Sequence, residues 1–380
     1  MNLNLPEPDG TLTPYTMGEP RTYERSTAPL ARRSAFAAAH VVADPLGDGT
    51  TLDWDATLAF RRHLWSYGLG VAEAMDTAQR GMGLDWEVTR ELIARSGTEA
   101  RACGGLMVGG AGTDHLPPGP APLDRIAAAY EEQLEVVEGA GAVPVLMASR
   151  QLAVSAEGPD DYAKVYGRLL GAVSRPAVLH WLGPMFDPAL TGYWGSTDLD
   201  EATEHVLALI ADHADRIDGI KISLLDAERE VAVRRRLPDG VRLYTGDDFN
   251  YPELIRGDEE GHSDALLGIF DPIAPAAAAA LRALDAGDMA AYEEAFAPTL
   301  PLAREVFATP TYYYKTGVVF LAWLAGHQSA FRMVGGLESA RSVPHLVRLF
   351  RLADAAGLLP DPELAGARMR GWLAVQGVDS

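Results

Sequence analysis

Short apolar runs alternate with longer stretches of helical periodicity along most of the chain, the pattern of a parallel α/β fold. Eight runs read as strands: 34–42 (SAFAAAHVV), 70–75, 104–108 (GGLMV), 142–148 (AVPVLMA), 177–182 (AVLHWL), 217–223 (IDGIKIS), 241–245 (VRLYT) and 265–270 (ALLGIF). Amphipathic helices are predicted at 53–65, 85–96, 123–138, 160–173 and 200–214. In the first of these, Trp54, Leu58, Phe60 and Leu64 interleave with Asp55, Arg61 and Arg62. A spacing of about 35 residues for the first six runs and about 24 for the last two fills ~240 residues without a break, as a (β/α)8 barrel would. A doubly wound sheet would place a glycine-rich phosphate fingerprint after an early strand, and the cluster between Gly104 and Gly112 lacks that spacing. Beyond Pro275 the pattern is helical only, at 276–286, 289–308, 312–333 and 343–356. The expected fold class is therefore α/β: an N-terminal arm over 1–33, a (β/α)8 TIM barrel over 34–275 and a C-terminal helical region over 276–380.

Composition narrows the partners. A net charge of −21 with no basic stripe argues against nucleic acid. The single cysteine, Cys103, excludes an intrachain disulfide and a Cys-rich zinc site and fits a reducing compartment, so the cytoplasm is expected. The first 34 residues are polar and proline-bearing, without the apolar core of a signal peptide. The most membrane-like run, 316–325, is far short of the roughly 18 residues a crossing needs and reads as a buried helix, so no membrane partner is expected.

The candidate chemistry begins with a lysine. The chain has three lysines against twenty-nine arginines, and one of them, Lys221, stands in the middle of the sixth apolar run. A lysine on a buried strand loses solvation, its pKa falls, and the neutral amine can attack a carbonyl carbon to form a Schiff base; an arginine cannot. A lysine snorkelling from a strand end is the plainer alternative. In a barrel the active site lies at the carboxyl ends of the strands. There the second run delivers Glu73, Asp76, Thr77 and Gln79, and the third leads to Thr113, Asp114 and His115. The fifth carries His180 and Trp181, and the sixth Lys221 and Ser223. The seventh ends in Tyr244, Thr245, Gly246, Asp247 and Asp248, and the eighth in Asp271 and Pro272. Any one of these could merely cap the next helix. Their convergence around one strand lysine favours chemistry. Lys164 and Lys315, on helical stretches, read as surface or packing residues.

These residues carry a resemblance. The Gly219-Ile220-Lys221 strand, the Gly246-Asp247-Asp248 turn and the proline-ended segment 268–275 resemble the dihydrodipicolinate synthase and N-acetylneuraminate lyase superfamily. The turn Gly110-Ala111-Gly112-Thr113 and the tail segments 286–288, 311–317 and 331–333 add to it, so that it spans about 34–359. In that superfamily the sixth-strand lysine forms a Schiff base with a 2-keto acid, and the resemblance gives Lys221 that role. It also implies a homo-oligomer, a tetramer or dimer. There are departures. The superfamily's Gly-Thr-Thr-Gly-Glu after the second strand is here Asp76-Thr77-Ala78-Gln79-Arg80, and an aspartate there repels a carboxylate unless Arg80 offsets it. The tyrosine that ends the fifth strand is replaced by His180 or Trp181, depending on a one-residue shift. The tyrosine near the end of the fourth gives way to Ser149-Arg150-Gln151, and the arginine after the fifth has no counterpart in 183–188.

The reading is a class I, Schiff-base-forming lyase, aldolase or dehydratase acting on a small carbonyl compound, a keto acid or keto sugar, without metal or cofactor. Lys221 is the nucleophile, and His180 is the general acid/base candidate near neutral pH. Tyr193, in the loop 191–195, could reach over the mouth and restore a phenol, and with Trp194 could stack on a sugar face. Asp76, Thr77, Thr113, Trp181, Ser223, Asp247 and Asp248 are the candidate substrate-binding residues. Two alternatives stay open. One is a metal-dependent sugar isomerase or class II aldolase using Glu73, Asp76, His115, His180 and Asp247, which lack tight ligand spacing. The other is a non-catalytic ligand-binding member of the fold.

Overall fold

The computed structural model describes residues 1–378. The chain divides into two compact units: Arg33–Ala39 with Gly70–Gly268, and Met1–Arg32 with His40–Leu69 and the chain from Ile269 onward. Each of the eight expected runs overlaps a barrel strand, the third displaced from 104–108 to Met107–Ala111 and the first shortened to Ala35–Ala38, and the fold is a (β/α)8 barrel with C-terminal helices.

An antiparallel hairpin, β1 (Asn2–Pro6) and β2 (Leu12–Thr16), opens the chain. The barrel strands follow: β3 (Ala35–Ala38), β4 (Gly70–Glu73), β5 (Met107–Ala111), β6 (Val143–Leu146), β7 (Ala177–Leu182), β8 (Ile217–Ser223), β9 (Arg242–Thr245) and β10 (Asp264–Leu267). They are parallel and close in sequence order, β10 pairing with β3. Strands with both faces covered need no polar alternation, which is why they appear as near-continuous apolar runs.

The lumen is packed by Ala38, Ala72, Met75, Val108, Val145, Val178, Tyr244 and Leu266, with Phe36, Val143 and Met147 against them. Small residues sit where large neighbours enter: a Cβ at Gly219 would lie 2.8 Å from Tyr244 Cε2 and 2.6 Å from the Arg242 carbonyl oxygen. The Tyr244 phenol donates to Asp218 Oδ2 at 2.6 Å, at the amino-terminal end of β8. Tyr244 thus belongs to the lumen packing and the floor of the barrel.

Several helices of this unit begin on side-chain caps. Asp85 accepts from Val88 N to start Trp86–Cys103, Ser149 from Leu152 N to start Arg150–Ser155, and Asp198 from Asp200 N to start Leu199–Asp212. Trp86–Cys103 runs past the expected stop at residue 96 and ends at Gly104, whose φ of 69° is a left-handed cap.

The other unit holds the hairpin and most of the remaining helices. Leu3 and Leu5 of β1 are buried, so the segment read as a polar arm begins with a packed hairpin; the prolines around it obscured the alternation. The single helix expected over 289–308 is two, Met289–Phe296 and Thr299–Val306, because Pro298 supplies no N–H to continue the ladder. The helix expected over 312–333 is confined to Tyr314–Leu324, buried throughout, and the chain turns at Gly326 with φ 90°. The terminal stretch forms Pro362–Val375, capped by Asp361. Among the described residues no helix is long and apolar enough to cross a membrane.

Candidate active site

Strand register settles which groups share the lumen. His180 of β7 is paired with Lys221 of β8, and Lys221 with Tyr244 of β9. Val178 packs in the lumen, so His180, two residues on, points the same way; Trp181, on the alternate face, points outward. Of the two residues, His180 is the one that faces the lumen. Trp181 does not join the lumen groups.

Lys221 is 7% exposed. Burial lowers its pKa to about 8, against the opposing fields of Asp248 and Asp76, which favour the charged amine. A substantial fraction of the amine is thus neutral near pH 8. Its stem runs over Gly246, where a Cβ would stand 2.9 Å from Lys221 Cε, 2.6 Å from the Ile222 carbonyl and 2.2 Å from Ser223 Oγ. Only a glycine lets the turn after β9 close against the lysine strand, as its N–H does by donating to Ile222 O at 2.8 Å.

His180 is fully buried. Burial, then the neighbouring Lys221, pushes its pKa well below the usual value, so the ring is neutral at physiological pH. One ring nitrogen, Nε2, lies 3.3 Å from Ser223 Oγ, and the other, Nδ1, has no protein partner. Ser223, the last residue of β8, sits beside the histidine.

The two aspartates after β9 have different surroundings. Asp247 is a turn residue: Oδ1 accepts from the N–H groups of Phe249 (2.8 Å) and Asn250 (3.0 Å), and Oδ2 from Asn250 Nδ2 (3.0 Å). Asp248 acts on Lys221 electrostatically. Behind this turn Glu230 accepts from Thr245 Oγ1 (3.0 Å) and Ser263 Oγ (2.8 Å), and burial pushes its pKa up to about 8. Nothing in the local sequence marked Glu230, which looks like any charge on an amphipathic helix.

The loop after β4 is strained. Ala74 (φ 53°) and Gln79 (φ 62°) are both left-handed without being glycine, a combination that concentrates at functional sites. Between them the single turn Asp76–Ala78 carries Asp76 and the buried Thr77. Gln79 is fully buried, and neither atom of its amide has a protein partner.

A cleft of about 590 Å³ opens over this end of the barrel; its lining includes Asp76, Arg80, Thr113, Asp114, Met147, Arg150, Gln151, Leu182, Asp187 and Leu190. Asp76 lines it and also exerts a field on Lys221, whereas Lys221, His180 and Gln79 lie outside the lining. Arg80 is held by Asp114 (Nε–Oδ2 3.0 Å, Nη2–Oδ1 2.6 Å), by the carbonyls of Gly110 (2.7 Å) and Ala74 (3.3 Å), and by Gln133. Arg150 pairs with Asp187 (Nε–Oδ2 2.5 Å). Thr113 Oγ1 lies 2.6 Å from Ser149 Oγ and donates to Gln151 Oε1 at 2.7 Å.

Tyr193 is buried. Its oxygen accepts from Ser149 N (3.0 Å) and lies 2.8 Å from Tyr166 Oη, while Tyr162 and Trp194 pack against its ring. Burial raises its pKa well above 10. The phenol therefore braces the Ser149 turn, which in turn holds Thr113. The buried Tyr166 that it meets carried no recognisable sequence signal, being one apolar position of a helix. Asp271, after β10, accepts from His40 N (2.7 Å) and lies 2.8 Å from His40 Nδ1. Among the described residues no group of three or more His, Cys, Asp or Glu side chains is placed to hold a metal ion. His115 meets Gln133 and Glu132 instead.

The sequence model of a family described as "Protein of unknown function (DUF993)" matches residues 3–378. The chain belongs to that family. No curated protein matches it. Its fold is that of dihydrodipicolinate synthase structures. The enzyme from Oceanobacillus iheyensis superposes with a TM-score of 0.63 at 15% identity, over 85% of this chain and 96% of that one. YagE, an E. coli prophage protein of the dihydrodipicolinic acid synthase family solved in complex with pyruvate, gives 0.66 at 18%, over 86% and 99%. The Agrobacterium tumefaciens dihydrodipicolinate synthase gives 0.63 at 18%, over 86% and 98%. The resemblance seen in the strand lysine and its flanking turns is matched at the level of fold, in a divergent family.

Proposed function

We propose that this member of the family is a class I lyase or aldolase that forms a Schiff base between Lys221 and a small carbonyl substrate. One observation carries the reading: an amine in the barrel lumen whose pKa burial lowers to about 8, paired in register with a neutral, buried histidine. The neutral Lys221 amine attacks the carbonyl carbon, giving a carbinolamine. Protonation of its hydroxyl and loss of water leave the iminium. The iminium then accepts the electrons released when a neighbouring C–C or C–H bond breaks, and His180, as a neutral imidazole, takes or returns the proton. Asp248 and Asp76 favour the positive charge that the iminium carries. Hydrolysis restores the amine. A homo-oligomer in the cytoplasm belongs to the same reading.

The test uses the scarcity of lysine. Borohydride added to the protein with a panel of keto acids and keto sugars should reduce the iminium and leave a stable adduct on the peptide containing Lys221. The Lys221→Ala variant should give none. Adducts confined to Lys164 or Lys315, or none at all with any member of the panel, would remove the proposal.

A further inference from the structure

We infer that the cleft at the carboxyl ends of β4 to β7 takes an uncharged carbonyl compound bearing hydroxyl groups, such as a ketose or a hydroxyketone, rather than a 2-keto acid. This rests on the Schiff-base reading and adds the substrate class to it. A keto acid brings a carboxylate next to the reacting carbonyl, and holding it takes a cation or an array of donors that have not been spent elsewhere. The cleft lining supplies two cations, Arg80 and Arg150, against three carboxylates, Asp76, Asp114 and Asp187. Arg80 faces Asp114 through two nitrogens, and its third, Nη1, serves the carbonyls of Gly110 and Ala74. Its side chain is 2% exposed. Arg150 is paired with Asp187 at 2.5 Å. Lys221 itself must be neutral to attack, and Asp248 adds a fourth negative charge acting on it. A substrate carboxylate would therefore enter a site of negative balance and share any cation there with a carboxylate already paired to it.

The open groups are of another kind. Outside the cleft lining, His180 Nδ1, across the strand pair from Lys221, and both ends of the Gln79 amide, on the loop that carries Asp76, are buried without protein partners, and all are neutral at physiological pH. Groups of this kind bond hydroxyls and carbonyls, accepting from one side and donating from the other. Met147, Leu182 and Leu190 line the cleft itself and suit a carbon chain, and about 590 Å³ accommodates a sugar of several carbons.

The experiment is borohydride trapping of the wild-type protein with pyruvate, dihydroxyacetone and xylulose, each alone at equal concentration, and quantification of adducts on the Lys221 peptide. The expected result is at least a tenfold greater yield with one of the two uncharged ketones than with pyruvate. Asp187→Asn, which releases Arg150 from its partner, should raise the pyruvate yield relative to the ketone yield, and an unchanged ratio would count against the charge argument. Pyruvate trapping at Lys221 as well as or better than both ketones overturns the substrate class while leaving the Schiff-base reading standing. Absence of any adduct at Lys221 overturns both.

Discussion

At the scale of single residues, the informative contrast is between two buried bases that share a lumen and differ in what surrounds them. Lys221 is pushed toward neutrality by burial and pulled back by Asp248 and Asp76, settling near 8. His180 has no such acid, and Lys221 adds to its burial, so it stays neutral. The consequence for pH is direct. Attack requires the neutral amine, so the initial rate of adduct formation should rise with pH through an inflection near 8 rather than near the 10.5 of a free lysine. Asp248→Asn removes a field that favours the protonated form, so its inflection should fall below that of the wild type. Trapping rates measured from pH 6 to 11.5 check both; an inflection near 10.5, or an unmoved one in the variant, would refute the account. Gly246 shows how little room the arrangement leaves, since one added carbon would contact the lysine stem, its neighbour's carbonyl and Ser223 together.

At the scale of elements, the site depends on loops held from behind. Tyr193 and Tyr166 brace the start of the helix Arg150–Ser155 through Ser149, and Ser149 fixes Thr113 after β5. Glu230, on the helix Ala227–Arg234, clamps the end of β9 through Thr245 and the approach to β10 through Ser263. Its burial has a cost that pH reveals. The carboxyl keeps its proton up to about pH 8 in the folded chain, while the ordinary value is 4.5, so between these values the native state binds the extra proton. Stability from this group is fully present below 4.5 and is lost as pH rises through 8. Glu230→Gln, which cannot ionise, should flatten that decline, gaining on the order of 1–3 kcal/mol over the wild type at pH 8 and little at pH 4.5. Urea unfolding at a series of pH values measures it, and parallel curves for the two proteins would contradict the assignment.

At the scale of the whole molecule, the question is which class of chemistry the barrel supports. The metal-dependent alternative drew on Glu73, Asp76, His115, His180 and Asp247, and among the described residues no three of them come together to hold a metal ion. Asp247 is spent on turn amides and His115 on Gln133 and Glu132, while His180 faces Lys221 across adjacent strands. Exhaustive treatment with EDTA, followed by dialysis, should therefore leave trapping at Lys221 unchanged. A loss that a divalent cation restores would transfer the site to the metal-dependent class.

The barrel was legible in the sequence because each strand is buried on both faces, leaving eight dense apolar runs separated by helical periodicity, and because a lysine in such a run is chemically conspicuous. The hairpin Asn2–Thr16 was not, since its alternation is short and broken by prolines. Nor was the break at Pro298, which lies inside a continuous apolar pattern. For the site, local sequence placed Lys221 and its flanking turns but could not say whether His180 or Trp181 faces inward, because both lie in one uninterrupted apolar run. Register with β8 decided it. Sequence likewise brought two arginines near the mouth without showing that Asp114 and Asp187 already occupy them. That pairing joins residues 34 and 37 positions apart. Which charges remain to meet a substrate is set by distances between strand ends, a property of the closed barrel and of no single segment.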